Sequence, residues 1–315
     1  MLEPLFRSCR AIGRRLLAGV ALLATGASAL ADPQSLPRPV PPKLEATSQA
    51  LHPALWKVAD QDTTIYLFGT IHALRPGLPW YGGAVAQAFA ASDALVTEIA
   101  DVGNLNNAQA LLANAVLPTG QTLRAKLSPA DRTAYEAALG KAGIPPATLD
   151  RFKPWYAAVL LSSLPLIRAG YQIDQGVEIQ LASRARASGK AQDGLETAAY
   201  QLGLLDSLPE TSQLSYLREV VANYDQAARQ IDRLTAEWGQ GDAEGLAAQL
   251  NADKSDPKLV EVLIERRNRA WAEWIKARLA KPGTVFVAVG AGHLAGPGSV
   301  QAMLSAQGIG SQRVQ

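Results

Sequence analysis

Two segments near opposite ends of the chain share one signature, and it restricts the fold more than any other feature of the sequence. Each is a hydrophobic β-type run that ends in Gly-x-x-His. Thr63-Thr64-Ile65-Tyr66-Leu67-Phe68 leads into Gly69-Thr70-Ile71-His72, and Thr284-Val285-Phe286-Val287-Ala288-Val289 leads into Gly290-Ala291-Gly292-His293. A Gly at the end of a strand lets the backbone turn sharply. The His three places later then projects over the sheet edge, where open α/β sheets bind their ligands. If the two strands are neighbours, the imidazoles converge. The chain has three histidines, two of them in this pattern. The competing reading makes both of them hydrogen-bonded structural residues. His52, beside Pro53, reads as incidental.

The first motif belongs to a βαβ unit. Trp56-Lys57-Val58 is placed to pair beside strand 63–68, Pro76, Gly77 and Pro79 mark a loop, a small-residue helix is predicted from Gly82 to Ala91, and Ala94–Ile99 is the next buried strand. A parallel sheet follows as the economical arrangement. The middle reads as helical: a start at Ser128-Pro129, with Ser as cap and Pro in the first turn, then helices over 154–168, 175–188, 210–238 and 257–280. Lys190 to Leu195 is a weakly patterned strand candidate, and a last helix runs from Gly298 to Ala306. The fold class predicted is α/β: a central, mainly parallel sheet, a large helical middle region, and strand–Gly-x-x-His motifs near both ends. Residues 53–312 are read as a single domain. No short-period repeat appears, which argues against a solenoid.

The N-terminus reads as an export signal over residues 1–31. Arg7, Arg10, Arg14 and Arg15 precede an apolar run from Leu16 to Leu30, and Ala29-Leu30-Ala31 offers the small residues of a cleavage site. The alternative is an uncleaved anchor, but a run of about 15 residues is short of the ~20 that span a bilayer. A periplasmic protein with no stable membrane span is therefore expected. Residues 32–52, rich in Pro, Ser and Lys, read as a flexible spacer. The chain has 30 basic and 28 acidic residues; cleavage removes four Arg and one Glu and leaves 26 against 27. A nearly neutral chain without a Lys/Arg cluster gives no support to nucleic acid as a partner. The one cysteine, Cys9, leaves with the signal, so disulfides, thiolate metal sites and cysteine nucleophiles are excluded from the mature chain.

Neutral imidazoles serve as ligands for divalent metals or as general bases near neutral pH. Without thiols, further donors must be oxygen. Glu98 lies near the end of an otherwise apolar strand, which would hardly tolerate an unpaired carboxylate; Asp101 is close by in sequence. Glu178 flanks the apolar face formed by Ile173, Val177 and Leu181. Glu196 follows the strand candidate ending in Leu195, where it either joins the site or helps cap a helix. Arg267 falls inside the apolar stripe of helix 257–280 by the i, i+3/i+4 rule. A buried arginine needs a carboxylate or an anionic ligand, and Asn268 beside it is placed to orient either. The tryptophans read as core. Gly-x-Ser-x-Gly, His-Glu-x-x-His and the phosphate-binding Gly-x-x-x-x-Gly-Lys-Ser/Thr loop are absent.

These elements together resemble the TraB/GumN family, to which the Tiki-type proteases are related. The resemblance runs from about Trp56 to Gly310. It rests on Leu67 through His72, the strand ending in Glu98, Gly176-Val177-Glu178, Gly189-Lys190, Leu195-Glu196-Thr197 with Gln201, Glu265-Arg266-Arg267-Asn268 with Trp271, and Val287 through Leu294. It implies a site built from the two Gly-x-x-His motifs and nearby carboxylates. It also implies a divalent metal, manganese or cobalt before iron or zinc, and a peptide or protein substrate. On that reading His72, His293 and Glu98 hold the metal, Glu178 or Glu196 acts as general base or fourth ligand, and Arg267 stabilises an oxyanion or a substrate carboxylate. The chain departs from the family's bacterial pattern in carrying Glu178 where Asp is usual, a side chain that reaches about one bond further. Two other readings stay open: a metal-free, esterase-type hydrolase using His72 as base, and a non-enzymatic protein that binds haem or another ligand.

Overall fold

The computed structural model describes residues 50–100, 114–251 and 256–315. The expected signal, most of the expected spacer and Asp101 lie outside them. Leu51 and His52 are already fastened to the fold, their backbone N–H groups donating to the carbonyls of Pro79 at 3.0 Å and Gly239 at 2.7 Å.

Strand β1 (Leu55–Ala59) turns back antiparallel beside β2 (Thr63–Thr70), as the residues 56–58 suggested. Helix α1 (Gly83–Ala91) then leads to β3 (Ala94–Ile99). The helical region follows: α2 (Pro129–Ala142), α3 (Pro154–Arg168) and α4 (Val177–Ala187) precede β4 (Ala191–Glu196), and α5 (Ala198–Asp206), α6 (Glu210–Asn223), α7 (Ala227–Gln240) and α8 (Ala243–Asn251) come after it. A short helix α9 (Pro257–Val260) and a π-helical turn, Glu261–Glu265, lead into α10 (Arg266–Leu279). The chain closes with β5 (Gly283–Gly290), α11 (Val300–Ser305) and a two-residue strand β6 (Gln312–Arg313).

The six strands form one sheet in the order β4-β3-β5-β2-β1-β6. The pairs β3–β4, β3–β5 and β2–β5 are parallel, and the two edge pairs with β1 are antiparallel. The βαβ unit formed by β2, α1 and β3 is real, but β5 enters between its two strands. The sheet is therefore completed only when residues near the C-terminus insert into its centre. Side chains alternate across it. Phe68, Leu95 and Phe286 pack with Val85, Phe89, Val177, Leu181 and Trp238 on one face. Ile65, Leu67, Val96, Val285 and Val287 pack with Trp271, Ile275 and Leu304 on the other. A third apolar cluster joins α2, α3 and α6 within the helical region.

Local chemistry sets the helix boundaries. Ser128 accepts from Asp131 N at 3.1 Å to start α2, which ends at Gly143 in the left-handed region (φ 68°). The single helix expected over 210–238 divides at Tyr224–Gln226, where Asn223 leaves helical geometry and its side chain donates to the Glu219 carbonyl at 3.0 Å. Helices α5 and α8 and strand β6 were not anticipated. Among the described residues no helix is long and apolar enough to cross a membrane.

Candidate functional site

The register places four of the candidate residues at the C-terminal ends of four consecutive parallel strands. Thr70 pairs with Gly290, so the loops bearing His72 and His293 leave adjacent strands at the same level. Ile99 pairs with Glu196, which sets Glu98 and Glu196 at the ends of β3 and β4. The order across the sheet is thus Glu196, Glu98, His293, His72. This is the crevice outside the strand ends where α/β sheets bind ligands.

Arg267 organises the centre from α10. It is 4% exposed, and each of its three guanidinium nitrogens has a partner within the site. Nε reaches Glu196 Oε1 at 3.0 Å, and Nη2 reaches Glu98 Oε2 at 2.5 Å and Glu196 Oε2 at 3.0 Å. Nη1 reaches the Leu263 carbonyl of the π-helical turn and His293 Nε2, each at 3.1 Å. The guanidinium also lies over the Trp271 ring at 4.8 Å. Gln201 Nε2 bridges Glu98 at 2.9 Å and Glu196 at 2.8 Å, and Trp271 Nε1 donates to Glu196 Oε1 at 3.0 Å. Glu98 Oε1 accepts from Gly290 N at 2.8 Å. Burial by itself raises the Glu98 carboxyl; Arg267, the two histidines and the Gly290 N–H outweigh it and hold the group well below the usual carboxylate range. Arg267 is therefore the counter-ion of two carboxylates, one of the two kinds of partner its place in an apolar stripe called for. Both oxygens of Glu196 are already taken by donors.

The two histidines are anchored from behind by different groups. His72 Nδ1 lies 2.5 Å from Glu178 Oε1, which also accepts from the Thr70 hydroxyl. His72 Nε2 is buried and has no hydrogen-bond partner. Burial pushes this imidazole down, but the Glu178 carboxylate and its hydrogen bond prevail, and the pKa is raised to about 9. His293 Nδ1 lies 2.6 Å from Asn268 Oδ1. Burial first, then the Arg267 charge, lower its pKa to about 3, so this ring is neutral. His293 Nε2 stands 3.9 Å from Glu98 Oε1, and its ring packs on Trp271 with centroids 4.4 Å apart.

Glu178 reaches His72 because α4 begins directly against the first motif. Val177 N donates to the Ile71 carbonyl at 3.0 Å, and the Gly176 Cα sits so close to the His72 carbonyl that a Cβ would collide with it. Glu178 is then in the first helical turn, 5% exposed. Trp238 Nε1 donates to the Gly69 carbonyl at 2.7 Å and fixes the turn itself. Reading the residues alone passed over Thr70 and Trp238. Thr70, inside the first motif, was the more visible of the two.

The donors suit a divalent cation in type: two imidazole nitrogens and a carboxylate, with each Nδ1 tied to a side-chain oxygen, the outer support that metal-bound histidines commonly have. The buried, unpartnered His72 Nε2 is the strongest sign of a missing ligand. Among the described residues, however, no three such groups are already gathered closely enough to hold an ion. Nη1 of Arg267 must leave His293 Nε2 before that nitrogen can bind one.

A model of the TraB/PrgY/gumN family matches residues 54–313. The chain belongs to the TraB/PrgY/gumN family. It is 27% identical over 239 residues to the uncharacterized protein YbaP of Escherichia coli (strain K12), covering 76% of this chain and 87% of that one. It is 24% identical over 260 residues to an uncharacterized protein of Treponema pallidum (strain Nichols), covering 78% of each. No solved structure matches significantly. Each residue discussed above, from Gly69 to His293, lies inside the family match.

Proposed function

We propose that this TraB/PrgY/gumN protein is a metal-dependent hydrolase of the periplasm that cleaves a peptide or protein. The observation that carries the reading is His72 Nε2: a buried imidazole nitrogen without a partner, with Nδ1 held by a carboxylate, beside a second histidine and a carboxylate at the ends of adjoining strands. His72, His293 and Glu98 are the residues that would hold a divalent cation, with manganese or cobalt first among the candidates. The chemistry supplied by such an ion is a lowered pKa for the water that attacks the scissile carbonyl. Glu178 and Asn268 orient the two rings. Glu196, with Gln201 and Trp271, keeps Arg267 in place and so keeps Glu98 charged. The basic start and apolar run at the N-terminus support export.

A second reading has its own observation. Arg267 sits on His293 Nε2, which leaves His72 as the one of the two site histidines with an open nitrogen. His72, backed by Glu178, is then the base of a metal-free hydrolase in the fraction that has lost its second proton, so activity rises with pH toward about 9.

One experiment separates the two. Metal content is measured by mass spectrometry on protein purified without chelator or affinity nickel, for wild type, His72→Ala and His293→Ala, together with peptide hydrolysis before and after chelation. Near-stoichiometric manganese, cobalt, iron or zinc, lost in both variants along with hydrolysis, is the expected result. Hydrolysis that survives exhaustive chelation overturns the metal-dependent reading in favour of the second.

A further inference from the structure

We propose that Asn268 is a positioning residue that fixes His293 as the Nδ1–H tautomer and so presents the Nε2 lone pair to the site; the use of that lone pair rests on the metal-dependent reading above. The argument starts from atoms whose roles are unambiguous. A carbonyl oxygen accepts only, so the Asn268 group 2.7 Å from the Gly298 carbonyl is the amide nitrogen. A second carbonyl, that of His293 itself, lies 3.5 Å from the same nitrogen. Turning the amide over would set its oxygen against both carbonyls, and this repulsion holds the group in one orientation. Oδ1 must then face His293 Nδ1, 2.6 Å away, and since Oδ1 only accepts, Nδ1 carries the proton.

A neutral imidazole protonated at Nδ1 is bare at Nε2. The other side of the ring gives the same answer independently. A guanidinium only donates, so Arg267 Nη1 at 3.1 Å requires an acceptor at Nε2. The two locks differ in one respect. Arg267 must withdraw from Nε2 if an ion is to bind there, whereas Asn268 is fully buried and fastened to the loop before α11. Once Nη1 leaves, Asn268 alone keeps the lone pair on the nitrogen that faces Glu98. The two Gly-x-x-His histidines therefore have unlike supports: a carboxylate behind His72 and a neutral amide behind His293. The amide directs its proton without adding a charge next to Arg267.

The test uses protein labelled with nitrogen-15 at histidine. With three histidines, and His52 exposed, the buried pair is readily assigned by substitution. In chelator-treated wild type, His293 is expected to show a slowly exchanging proton on Nδ1, with a nuclear Overhauser contact to the Asn268 amide, and no proton on Nε2. Manganese titrated by calorimetry is expected to bind Asn268→Ala about 10–100-fold more weakly than wild type. Asn268→Asp, which keeps an acceptor for Nδ1 but sets its second oxygen against the Gly298 carbonyl, is expected to retain the Nδ1 proton while folding less stably. A wild-type Nδ1 without a proton, or unchanged manganese affinity in Asn268→Ala, overturns the proposal. If Asn268→Ala does not fold, the wild-type spectrum decides. Wild type that binds no manganese defeats the metal-dependent reading and leaves the tautomer assignment to stand or fall on the spectrum.

Discussion

Arg267 and Glu98 meet at 2.5 Å at the C-terminal edge of the sheet, both buried, from elements far apart in sequence. The same guanidinium also neutralises Glu196, which is buried nearby with its oxygens fully bonded. Removing one partner of a buried ion pair leaves an uncompensated charge, at a cost of about 3–5 kcal/mol. Arg267→Met is therefore expected to lower unfolding stability by about that amount, measured by urea denaturation, because two carboxylates lose their counter-ion at once. Glu98→Gln in the Arg267→Met background should recover part of the loss. A single-variant loss below about 1 kcal/mol, typical of an exposed pair, would contradict the arrangement.

The two site histidines act on stability in opposite pH ranges. His72 has a folded pKa near 9, above its ordinary 6.5. Its contribution is fully present below pH 6.5 and is lost as pH rises through about 9. His293 has a folded pKa near 3, below its ordinary 6.5. Its neutral form favours the fold above pH 6.5, and that advantage is lost as pH falls from 6.5 toward 3. The melting temperature should therefore begin to fall with acid between about pH 6.5 and 5, before most carboxylates titrate. In a His293→Asn variant this early decline should vanish. A wild-type profile that stays level down to pH 5 would show that His293 does not resist protonation.

The motifs were legible because their chemistry is local. Val285 to Val289 is too apolar to be anything but a buried strand, and a Gly followed by His three places on marks where it ends. The pairing of β2 with β5 could be stated only as a condition, because no residue encodes a neighbour two hundred positions away. Arg267 was legible as a buried arginine from the periodicity of its helix. Its division between Glu98 and Glu196 depends on the β3–β4 register, which composition does not carry. The break after Asn223 escaped because both flanking segments are strongly helical and the departure comes from one side-chain hydrogen bond. Gln201 stood out only through the family resemblance; its place between two carboxylates follows only once β4 lies beside β3.

Gly176 is constrained by space rather than by backbone angle. Its φ is −56°, open to any residue, but a Cβ would run into the His72 carbonyl. Gly176→Ala should force α4 away from the first motif and destabilise the fold by about 1–3 kcal/mol, the usual cost of overpacking. Gly203 provides the contrast, since it lies inside α5 and a Cβ there meets nothing within 4 Å. Gly203→Ala should stabilise by up to about 1 kcal/mol through helix propensity. Chemical denaturation of the two variants side by side tests both signs. Equal effects would mean that α4 does not press on the His72 backbone.

The geometry of Glu178 says what its side chain does. Oε1 receives both the Thr70 hydroxyl and His72 Nδ1, so the carboxylate stands behind the imidazole. Glu178→Gln keeps the size of the side chain and removes its charge. The His72 pKa should then fall from about 9, because burial alone pushes it down once the carboxylate is gone. Histidine NMR titration reads this directly. Activity, or metal affinity where metal is bound, should drop about 10–100-fold, as for other groups that orient a working histidine. Glu178→Asp separates charge from reach. If the longer arm is what brings the carboxylate to Nδ1, Asp should lower the His72 pKa nearly as far as Gln does. If α4 can close the gap, Asp should hold the pKa near 9 and keep the activity, and the extra methylene would then have no bearing on the site.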